Sequence, residues 1–204
     1  MKDTVNAPSL ALIADIGGTN ARFALTDMYE PVAQVLEPRS LDASQFASLQ
    51  HAAEHYLADS GVKPRSAAIA VASPVNSEEI RLTNRAWSFT RRELQRALRL
   101  DALHVLNDFG AVAWSVPALG ANESITLHGD DDAPLQGPVS VLGPGTGLGV
   151  AMLVGHDDPG RGRHWQVVET EGGHVSFAPL GDEELNIARW FSARFGRVSN
   201  ERLL

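Results

Sequence analysis

The sequence predicts an α/β protein, and two observations carry that prediction. Apolar runs of strand length recur along the chain, three of them within residues 10–38. Residues 43–58 and 182–195 instead repeat apolar side chains every three to four positions, which is the period of a helix. Strands come first and are then mixed with helices, an order typical of α/β proteins.

The first half of the chain is predicted to contain both strands and helices. The elements are three strands within 10–38 (the last at 31–36), a helix over 43–58, a strand over 67–72, an extended piece over 80–84, a helix over 90–99, a strand over 103–106 and a helix over 109–116. Thr90 and Glu93 have the spacing of a capping box, which predicts the start of a helix there.

The second half is predicted to begin with an acidic loop at 120–138 and to continue with strands. The elements that follow the loop are strands at 139–142, 150–154 and 165–168 and a helix over 182–195. Asp182 is the expected N-cap of this helix. The apolar stripe of the helix is predicted to be core rather than a cofactor-binding surface; it comprises Leu185, Ala188, Trp190, Phe191 and Phe195.

The composition disfavours several classes of protein. A chain of 204 residues can bury a proper core. The formal net charge of −8 disfavours a nucleic-acid partner but permits a nucleotide, because turn amides and a metal ion can neutralise phosphate locally. Since no apolar run is long enough to span a bilayer and there is no cysteine, we expect a cytoplasmic protein without a membrane partner.

A glycine-rich turn follows the first apolar run. The segment is Ala14, Asp15, Ile16, Gly17, Gly18 and Thr19, and a second apolar run follows at once. This pattern predicts two strands joined by a tight turn whose amides and Thr19 hydroxyl can bind phosphate oxygens. Asp15 is placed to hold a magnesium ion through water. An ordinary hairpin, in which the glycines only make the turn, is the alternative.

A second glycine-rich turn lies at 143–149 and contains Gly145, Thr146 and Gly147. Like the first turn, it offers backbone amides and a hydroxyl, so two such turns facing one another would grip a polyphosphate. Neither turn fits the lysine-containing P-loop, and neither opens the helix that a dinucleotide fingerprint requires. The pair therefore favours a polyphosphate ligand.

Two further groups of polar residues carry chemistry. Asp108 directly follows Asn107 and a strand, where α/β proteins bind their ligands, and its carboxylate can accept a proton from an attacking hydroxyl. Capping of the next helix by Asn107 or Asp108 is the alternative. Glu171 and His174, separated by two glycines, can hydrogen-bond to a neutral polyol, and an exposed turn is the alternative.

One short pattern points to a different chemistry. His51, Glu54 and His55 match the zinc-binding pattern of one class of peptidase. On a helix, both histidines face away from the apolar stripe of residues 46–57. We therefore interpret them as a solvent-exposed face.

Several segments gain specificity when they are taken together and in order. They are Ala14–Asn20, Leu82–Trp87, Asn107–Phe109, Gly145–Gly149, Glu171–His174 and Val198–Leu204. In this order they resemble the phosphate, sugar and catalytic-base motifs of the bacterial glucokinases, which belong to the hexokinase and actin-like ATPase superfamily. The resemblance covers essentially the entire chain and implies the ribonuclease H-like fold of sugar kinases.

The resemblance implies ATP-dependent phosphorylation of glucose or a related hexose. Asp108 would be the general base that deprotonates the 6-hydroxyl of the sugar. Asp15 would position Mg²⁺, the two glycine turns would hold the phosphates of ATP, and two domains would close over the sugar. The residues implied to hold the other sugar hydroxyls are Asn107, Glu171, His174 and Glu201.

The resemblance also implies a domain division. Members of the family continue past the position that matches Leu204, with an adenosine-binding motif and the rest of a large domain. We therefore expect residues 1–107 to form a nearly complete small domain and 108–204 to form the first part of a large one. Apolar faces that would pack on the absent part favour instability or association, and we expect a homodimer.

Three other functions stand beside the kinase. A non-catalytic sugar-binding fragment, or an inactive shortened kinase, would keep the sugar residues without an adenine pocket. A sugar-responsive repressor is disfavoured because no DNA-binding helix pair precedes Leu10. A zinc peptidase is disfavoured by the helical phase of His51 and His55.

Overall fold

The computed structural model describes residues 10–30, 33–83, 86–120, 122–130, 134–145, 147–160 and 162–204. The chain divides into two compact units, the first ending at Ala111 and the second beginning at Val112. The assignment of 1–107 to a small domain and of 108–204 to part of a large one stays a prediction.

The first unit is built on a five-stranded sheet. Its elements, continued to the end of the helix at the unit boundary, are β1 (Leu10–Ile16), β2 (Asn20–Asp27), β3 (Leu36–Asp42), α1 (Leu49–Ser60), β4 (Ser66–Val71), β5 (Glu79–Arg81), β6 (Ser88–Thr90), α2 (Arg91–Ala97), β7 (Ala102–Asn107) and α3 (Asp108–Ser115). The strand order in the sheet is β3-β2-β1-β4-β7. Strands β1 to β3 pair antiparallel, whereas β4 pairs parallel with both β1 and β7. This mixture of strands and helices confirms the predicted α/β class.

The core of the first unit lies between one face of this sheet and α1. Alternate residues of each strand point to the same face, so Leu12 and Ile69 come together and are fully buried. They belong to the same buried cluster as Tyr56 of α1, whose ring stacks on Phe23 at a centroid distance of 5.4 Å. The predicted solvent face of the helix is confirmed, since His51 and His55 are both exposed.

The third strand was predicted wrongly at 31–36. In the structure β3 runs over Leu36–Asp42, and residues 31 and 32 lie outside the described part of the chain. This is an edge strand, and most of its residues are exposed. A strand that is solvated in this way does not need an apolar run, which is the pattern that predicts a buried strand.

The predicted helix over 43–58 is divided in two. A single 3₁₀ turn occupies Ala43–Gln45, and α1 begins only at Leu49. The boundary is set by Ser48, whose side chain accepts a hydrogen bond from the His51 amide at 3.2 Å and so caps the helix. Apolar periodicity continued across this boundary and could not locate it.

Other elements of the first unit match their predictions closely. Strands β4 and β7 and helix α3 lie within one residue of the predicted bounds, and the predicted extended piece at 80–84 overlaps β5. Asn84 is outside the described residues. The side chain of Thr90 caps α2 by accepting from the Glu93 amide at 3.2 Å, which confirms the predicted helix start.

The second unit contains an antiparallel sheet and a long helix. Its main elements are β8 (Val139–Pro144), β9 (Leu148–Asp158), β10 (Gly162–Thr170) and α4 (Gly181–Phe195). The strand order is β10-β9-β8, and all three strands extend beyond the predicted segments. Asp182 is not the N-cap of α4 as predicted, because the cap position is Leu180, whose amide donates to Glu184 Oε2 at 2.6 Å.

The prediction that the apolar stripe of α4 is core was wrong for this structure. No residue of α4 is buried, and Trp190 and Phe195 are 52% and 53% exposed. Trp190 packs edge-on against Phe191 of the same helix at 5.1 Å, and the Phe195 ring lies under the Arg202 guanidinium. Amphipathic periodicity identifies the apolar face of a helix but carries no information about what covers it.

Within the described ranges, no helix combines the length and the apolar character that crossing a bilayer requires.

Replacement of Tyr56 by phenylalanine is expected to destabilise the first unit by about 1 kcal/mol. The Tyr56 hydroxyl donates to the Glu37 carbonyl at 3.0 Å, and Glu37 has a positive φ of 48° that this bond helps to hold. Burial, reinforced by the Glu37 carboxylate, raises the pKa of Tyr56, so the hydroxyl keeps its proton into alkaline pH. Chemical denaturation measures the free energy of unfolding.

The matched control is Tyr29→Phe, because Tyr29 is 77% exposed. This variant is expected to remain within about 0.5 kcal/mol of the parent chain. Equal effects of the two substitutions would contradict a stabilising role for the Tyr56–Glu37 hydrogen bond.

Candidate functional site

The first glycine turn joins β1 to β2 as predicted. The Gly17 amide donates to the Asn20 carbonyl at 2.9 Å, and the Ala43 amide donates to the Thr19 carbonyl at 3.0 Å. A Cβ added at Gly17 would lie 3.5 Å from the nearest atom, which is an ordinary contact. Packing inside the chain therefore does not require glycine at this position, in keeping with a turn that leaves room for a ligand.

Asp15 lies opposite Arg22 in the β1–β2 ladder. The two side chains form an ion pair with 2.7 Å between Asp15 Oδ2 and Arg22 Nη1, and their exposed fractions are 50% and 63%. An exposed pair of this kind contributes at most about 1 kcal/mol to stability. Arg22 was not singled out from the sequence. Its position was a usable signal, because Arg22 follows the turn at about the distance by which Asp15 precedes it, and two such residues face each other across a hairpin.

An apolar cavity of about 540 Å³ adjoins this ion pair. Its lining includes Ile13, Ala24 and Ala70, which the strand register puts on the same face of the sheet as Asp15 and Arg22. This face is the one turned away from Leu12 and Ile69, and hence from the core that α1 covers. The Asp15 carboxylate thus stands at the polar end of an open apolar surface.

The donor set around Asp15 limits the metal that it can hold. Considering the described residues only, no three His, Asp or Glu side chains come together as a metal-binding group. Mg²⁺ commonly takes one or two protein carboxylates and completes its shell with water and phosphate oxygens. Asp15 fits a magnesium ion of that kind and does not fit one held by protein ligands alone.

Asn107 and Asp108 stand at the junction of β7 and α3. Asn107 Oδ1 accepts from the Phe109 amide at 2.9 Å and from the Gly110 amide at 3.4 Å. Asp108 Oδ1 also accepts from the Phe109 amide, at 2.8 Å. Capping, which was the alternative considered from the sequence, therefore takes place. It involves one oxygen of the Asp108 carboxylate and is compatible with proton acceptance by the other.

The second glycine turn connects β8 to β9. The Gly145 amide donates to the Gly147 carbonyl at 2.8 Å. Thr146, predicted as its phosphate-binding hydroxyl, lies outside the described residues. Directly after the turn, the Leu148 amide donates to Glu201 Oε2 at 3.0 Å. Leu148 was not singled out from the sequence, since a backbone donor leaves no mark in the residue type.

The three sugar-motif side chains of the second unit are brought together. His174 Nε2 lies 3.6 Å from Glu171 Oε2, and His174 Nδ1 lies 3.6 Å from Glu201 Oε1. The exposed fraction falls from 75% for Glu171 to 55% for His174 and 31% for Glu201. The result is an accessible imidazole between two carboxylates, with donors and acceptors suited to hydroxyl groups.

Backbone contacts hold this cluster in place. A short 3₁₀ turn at Gly172–His174 follows β10, and an isolated bridge pairs Ser176 with Ser199. The Asn200 amide donates to the Val175 carbonyl at 3.2 Å, and Arg197 donates from Nη2 to the His174 carbonyl. These contacts bring Glu201 back beside a motif that precedes it by about 30 residues. Arg197 was missed from the sequence, where nothing distinguished it from other arginines.

The sequence profile described as Glucokinase matches residues 12–204 of this chain. Among curated relatives, glucokinase of Chromobacterium violaceum is 42% identical over 95% of this chain and 53% of its own length. Glucokinase of Xylella fastidiosa is 42% identical over 98% of this chain and 60% of its own length. The chain thus spans little more than half the length of these relatives.

Solved structures support the same assignment. A crystal structure of glucokinase from an Antarctic psychrotroph is 34% identical, with a TM-score of 0.82, and the match covers 95% of this chain and 59% of that one. Glucokinase from Balamuthia mandrillaris, solved in complex with glucose, is 25% identical with a TM-score of 0.70 and matches 98% of this chain and 60% of that one. The predicted sugar-kinase fold is confirmed, and the chain belongs to the glucokinase family.

Proposed function

We propose that this protein transfers the γ-phosphoryl group of ATP to glucose. The observation that carries the proposal is the cluster of Glu171, His174 and Glu201 beside Leu148, directly after the second glycine turn. Groups that suit sugar hydroxyls thus adjoin a turn whose amides suit phosphate. The glucose found in the related Balamuthia mandrillaris enzyme supports the choice of sugar.

The sugar is held by hydrogen bonds to its hydroxyl groups. Glu171 and Glu201 accept from hydroxyls, and the His174 imidazole donates or accepts according to its tautomer. Asn107 and Asp108 complete the set proposed from the family resemblance. A sugar that lacks a matching hydroxyl leaves one of these groups unpaired, and such sites discriminate by as much as about 10⁴-fold.

Asp108 acts as the general base in the transfer. Its carboxylate takes the proton of the 6-hydroxyl while the sugar oxygen forms a bond to the γ-phosphorus of ATP. The bond between that phosphorus and the bridging oxygen breaks, and ADP leaves with the electron pair. Glucose 6-phosphate is the other product. A base of this kind contributes about 10²–10⁴ to the rate.

The two glycine turns receive the phosphates of ATP. The Gly17 and Gly145 amides close their own turns, to the carbonyls of Asn20 and Gly147. The phosphates are therefore assigned to the amides of Gly18 and Thr19 in the first turn, which follows Ala14 to Ile16, and to those of Thr146 and Gly147 in the second. Asp15 would hold Mg²⁺ through water, and the bound ion would neutralise charge on the phosphate oxygens. Arg22, at 2.7 Å, keeps the Asp15 carboxylate oriented before the nucleotide arrives.

The substitution Asp108→Asn is expected to lower kcat by about 10²–10⁴, because an amide cannot accept the proton. Its side-chain oxygen can still accept from the Phe109 amide, so the helix cap is kept and folding is not the cause of the loss. A coupled assay of glucose 6-phosphate formation measures the rate.

Asp157→Asn is the matched control, since Asp157 is 79% exposed on β9 and has no proposed role. Its kcat should equal that of the parent chain. Retention of full activity by the Asp108 variant would show that the base is another group.

A non-catalytic sugar-binding protein is the second candidate. The observation that favours it is that three of the five residues proposed to hold the sugar, Glu171, His174 and Glu201, lie together in the second unit, whereas the proposed base Asp108 and the first glycine turn belong to the first unit. Calorimetry with glucose and, separately, with ATP distinguishes the two functions. A kinase binds both ligands, whereas the second candidate binds glucose alone.

In the same calorimetric titration, Glu171→Gln is expected to weaken glucose binding by about tenfold or more, since it removes a charged hydrogen-bond acceptor. Glu169→Gln, two residues earlier in the exposed part of β10, is the control and should bind glucose as the parent chain does. Equal affinities for all three proteins would remove Glu171 from the sugar site.

We infer further that the protein forms a homodimer. The exposed apolar side chains of α4, including Ile187 and Trp190, support this inference, because a face of this kind favours association. Sedimentation equilibrium should give twice the monomer mass of 21.9 kDa for the parent chain and the monomer mass for Trp190→Glu. A parent chain that sediments as a monomer would contradict the inference.

A further inference from the structure

The carboxylate of Glu201 contacts the second glycine turn as well as the sugar motif. Its Oε2 accepts from the Leu148 amide at 3.0 Å, across 53 positions of the chain. Its Oε1 lies 3.6 Å from His174 Nδ1. One carboxylate thus bridges the group proposed to bind sugar and the backbone that follows the turn proposed to bind phosphate.

The glycine at 147 is what allows this approach. A Cβ added at Gly147 would lie 2.7 Å from Glu201 Oε2 and 2.9 Å from its carboxyl carbon. Those distances are shorter than real Cβ atoms show, so any other residue at 147 would displace the carboxylate. The bond between Glu201 and Leu148 therefore depends on the composition of the turn itself.

The carbonyl group of Leu148 lies close to the backbone of the sugar motif. A Cβ added at Gly173 would lie 2.1 Å from the Leu148 carbonyl oxygen. The backbone of the turn at 172–174 thus lies against Leu148, whose amide is held by Glu201. The amide of Leu148 is thus bonded to Glu201, and its carbonyl oxygen is packed against the backbone of the sugar motif.

We propose that Glu201 is a positioning residue for the second phosphate turn and that it links sugar binding to binding of the phosphoryl donor. This proposal rests on the proposed function for the identity of the two ligands. A hydrogen bond from a backbone amide to a carboxylate is stronger than one between neutral groups, so Glu201 is well suited to fix the end of the turn. A sugar hydroxyl that donates to Glu201 excludes water from the carboxylate and orders its side chain.

The linkage is reciprocal by thermodynamic necessity. A sugar that makes the Glu201–Leu148 bond more persistent raises the affinity for the donor, and the donor raises the affinity for the sugar by the same factor. Couplings between two sites in one protein commonly lie between about 5-fold and 150-fold. We expect glucose to lower the Kd for ATP by a factor in this range and to slow hydrogen exchange of the Leu148 amide.

The test measures hydrogen exchange at the Leu148 amide in the full chain, with and without saturating glucose. Without sugar, Glu201→Ala is expected to speed exchange at Leu148 by about tenfold or more, since the amide loses the carboxylate that accepts its hydrogen bond. Gly147→Ala should act in the same direction, because it displaces the carboxylate while keeping its charge. Exchange at Ala151 and Leu153, which are buried on β9, serves as the internal reference for intact folding of the second unit.

Glu171→Gln is the matched control. Like Glu201, Glu171 lies 3.6 Å from a ring nitrogen of His174 and is proposed to bind sugar hydroxyls. The nitrogen that it contacts is Nε2, whereas Glu201 contacts Nδ1, and Glu201 is the residue bonded to Leu148. This variant should weaken sugar binding and leave the sugar-free exchange of Leu148 at the parent rate. A purely structural weakening of the sugar cluster would instead speed exchange in both glutamate variants.

Two results would overturn the proposal. One is a Leu148 exchange rate that is unchanged by both Glu201→Ala and Gly147→Ala. The other is glucose binding to the parent chain with no change in Leu148 exchange or in the Kd for ATP. Absence of any glucose binding in calorimetry would instead refute the sugar-kinase function, and the sugar-free comparison of the variants would still decide the positioning role of Glu201.

Discussion

The candidate sugar site of the second unit depends on the way in which the backbone of Leu148 is held. Its amide is bonded to Glu201, and its carbonyl oxygen lies so close to Gly173 that a side chain cannot be accommodated there. These two contacts come from segments that are separated by about 25 to 55 residues from the start of β9. They place the polar groups of the candidate sugar site beside the end of a glycine turn, and they make the position of the turn sensitive to whatever binds those groups.

The two glycine turns, although similar in sequence, have different surroundings. At Gly17 an added Cβ would make an ordinary contact, whereas at Gly147 it would collide with a carboxylate. The first turn is accompanied by an exposed ion pair between neighbouring strands, and the second by a carboxylate from a distant segment. Glycine at 147 therefore permits the observed position of the Glu201 carboxylate, whereas packing within the chain does not explain glycine at 17.

Asn107 and Asp108 illustrate how one local geometry serves two interpretations. Both side chains accept from amides at the start of α3, which is the structural alternative considered from the sequence. Because α3 starts directly after β7, its first acidic residue stands at the carboxyl end of that strand, where α/β proteins bind their ligands. Capping fixes the orientation of the side chains there, and a fixed orientation is also what a general base requires.

The local elements and the family were determined by the sequence alone. Buried strands, the capped start of α2 and both glycine turns follow from apolar runs, the Thr90–Glu93 spacing and glycine chemistry, all of which act between near neighbours. The bounds of the edge strand β3 were not predicted, because its solvated residues form no apolar run. The apolar stripe of α4 was wrongly predicted to be core, because the sequence of a helix does not specify what covers its apolar face.

Only the tertiary structure decided which polar groups of each unit meet. Three contacts in the second unit join segments that are far apart in the chain. Glu201 accepts from the Leu148 amide and lies beside His174, and Arg197 donates to the His174 carbonyl. Such contacts rest on backbone amides and carbonyls, which every residue carries, and on close approaches whose distances no residue pattern encodes. The sequence therefore identified the candidate site residues, and the fold alone determined that Glu201 contacts both His174 and the end of the second glycine turn.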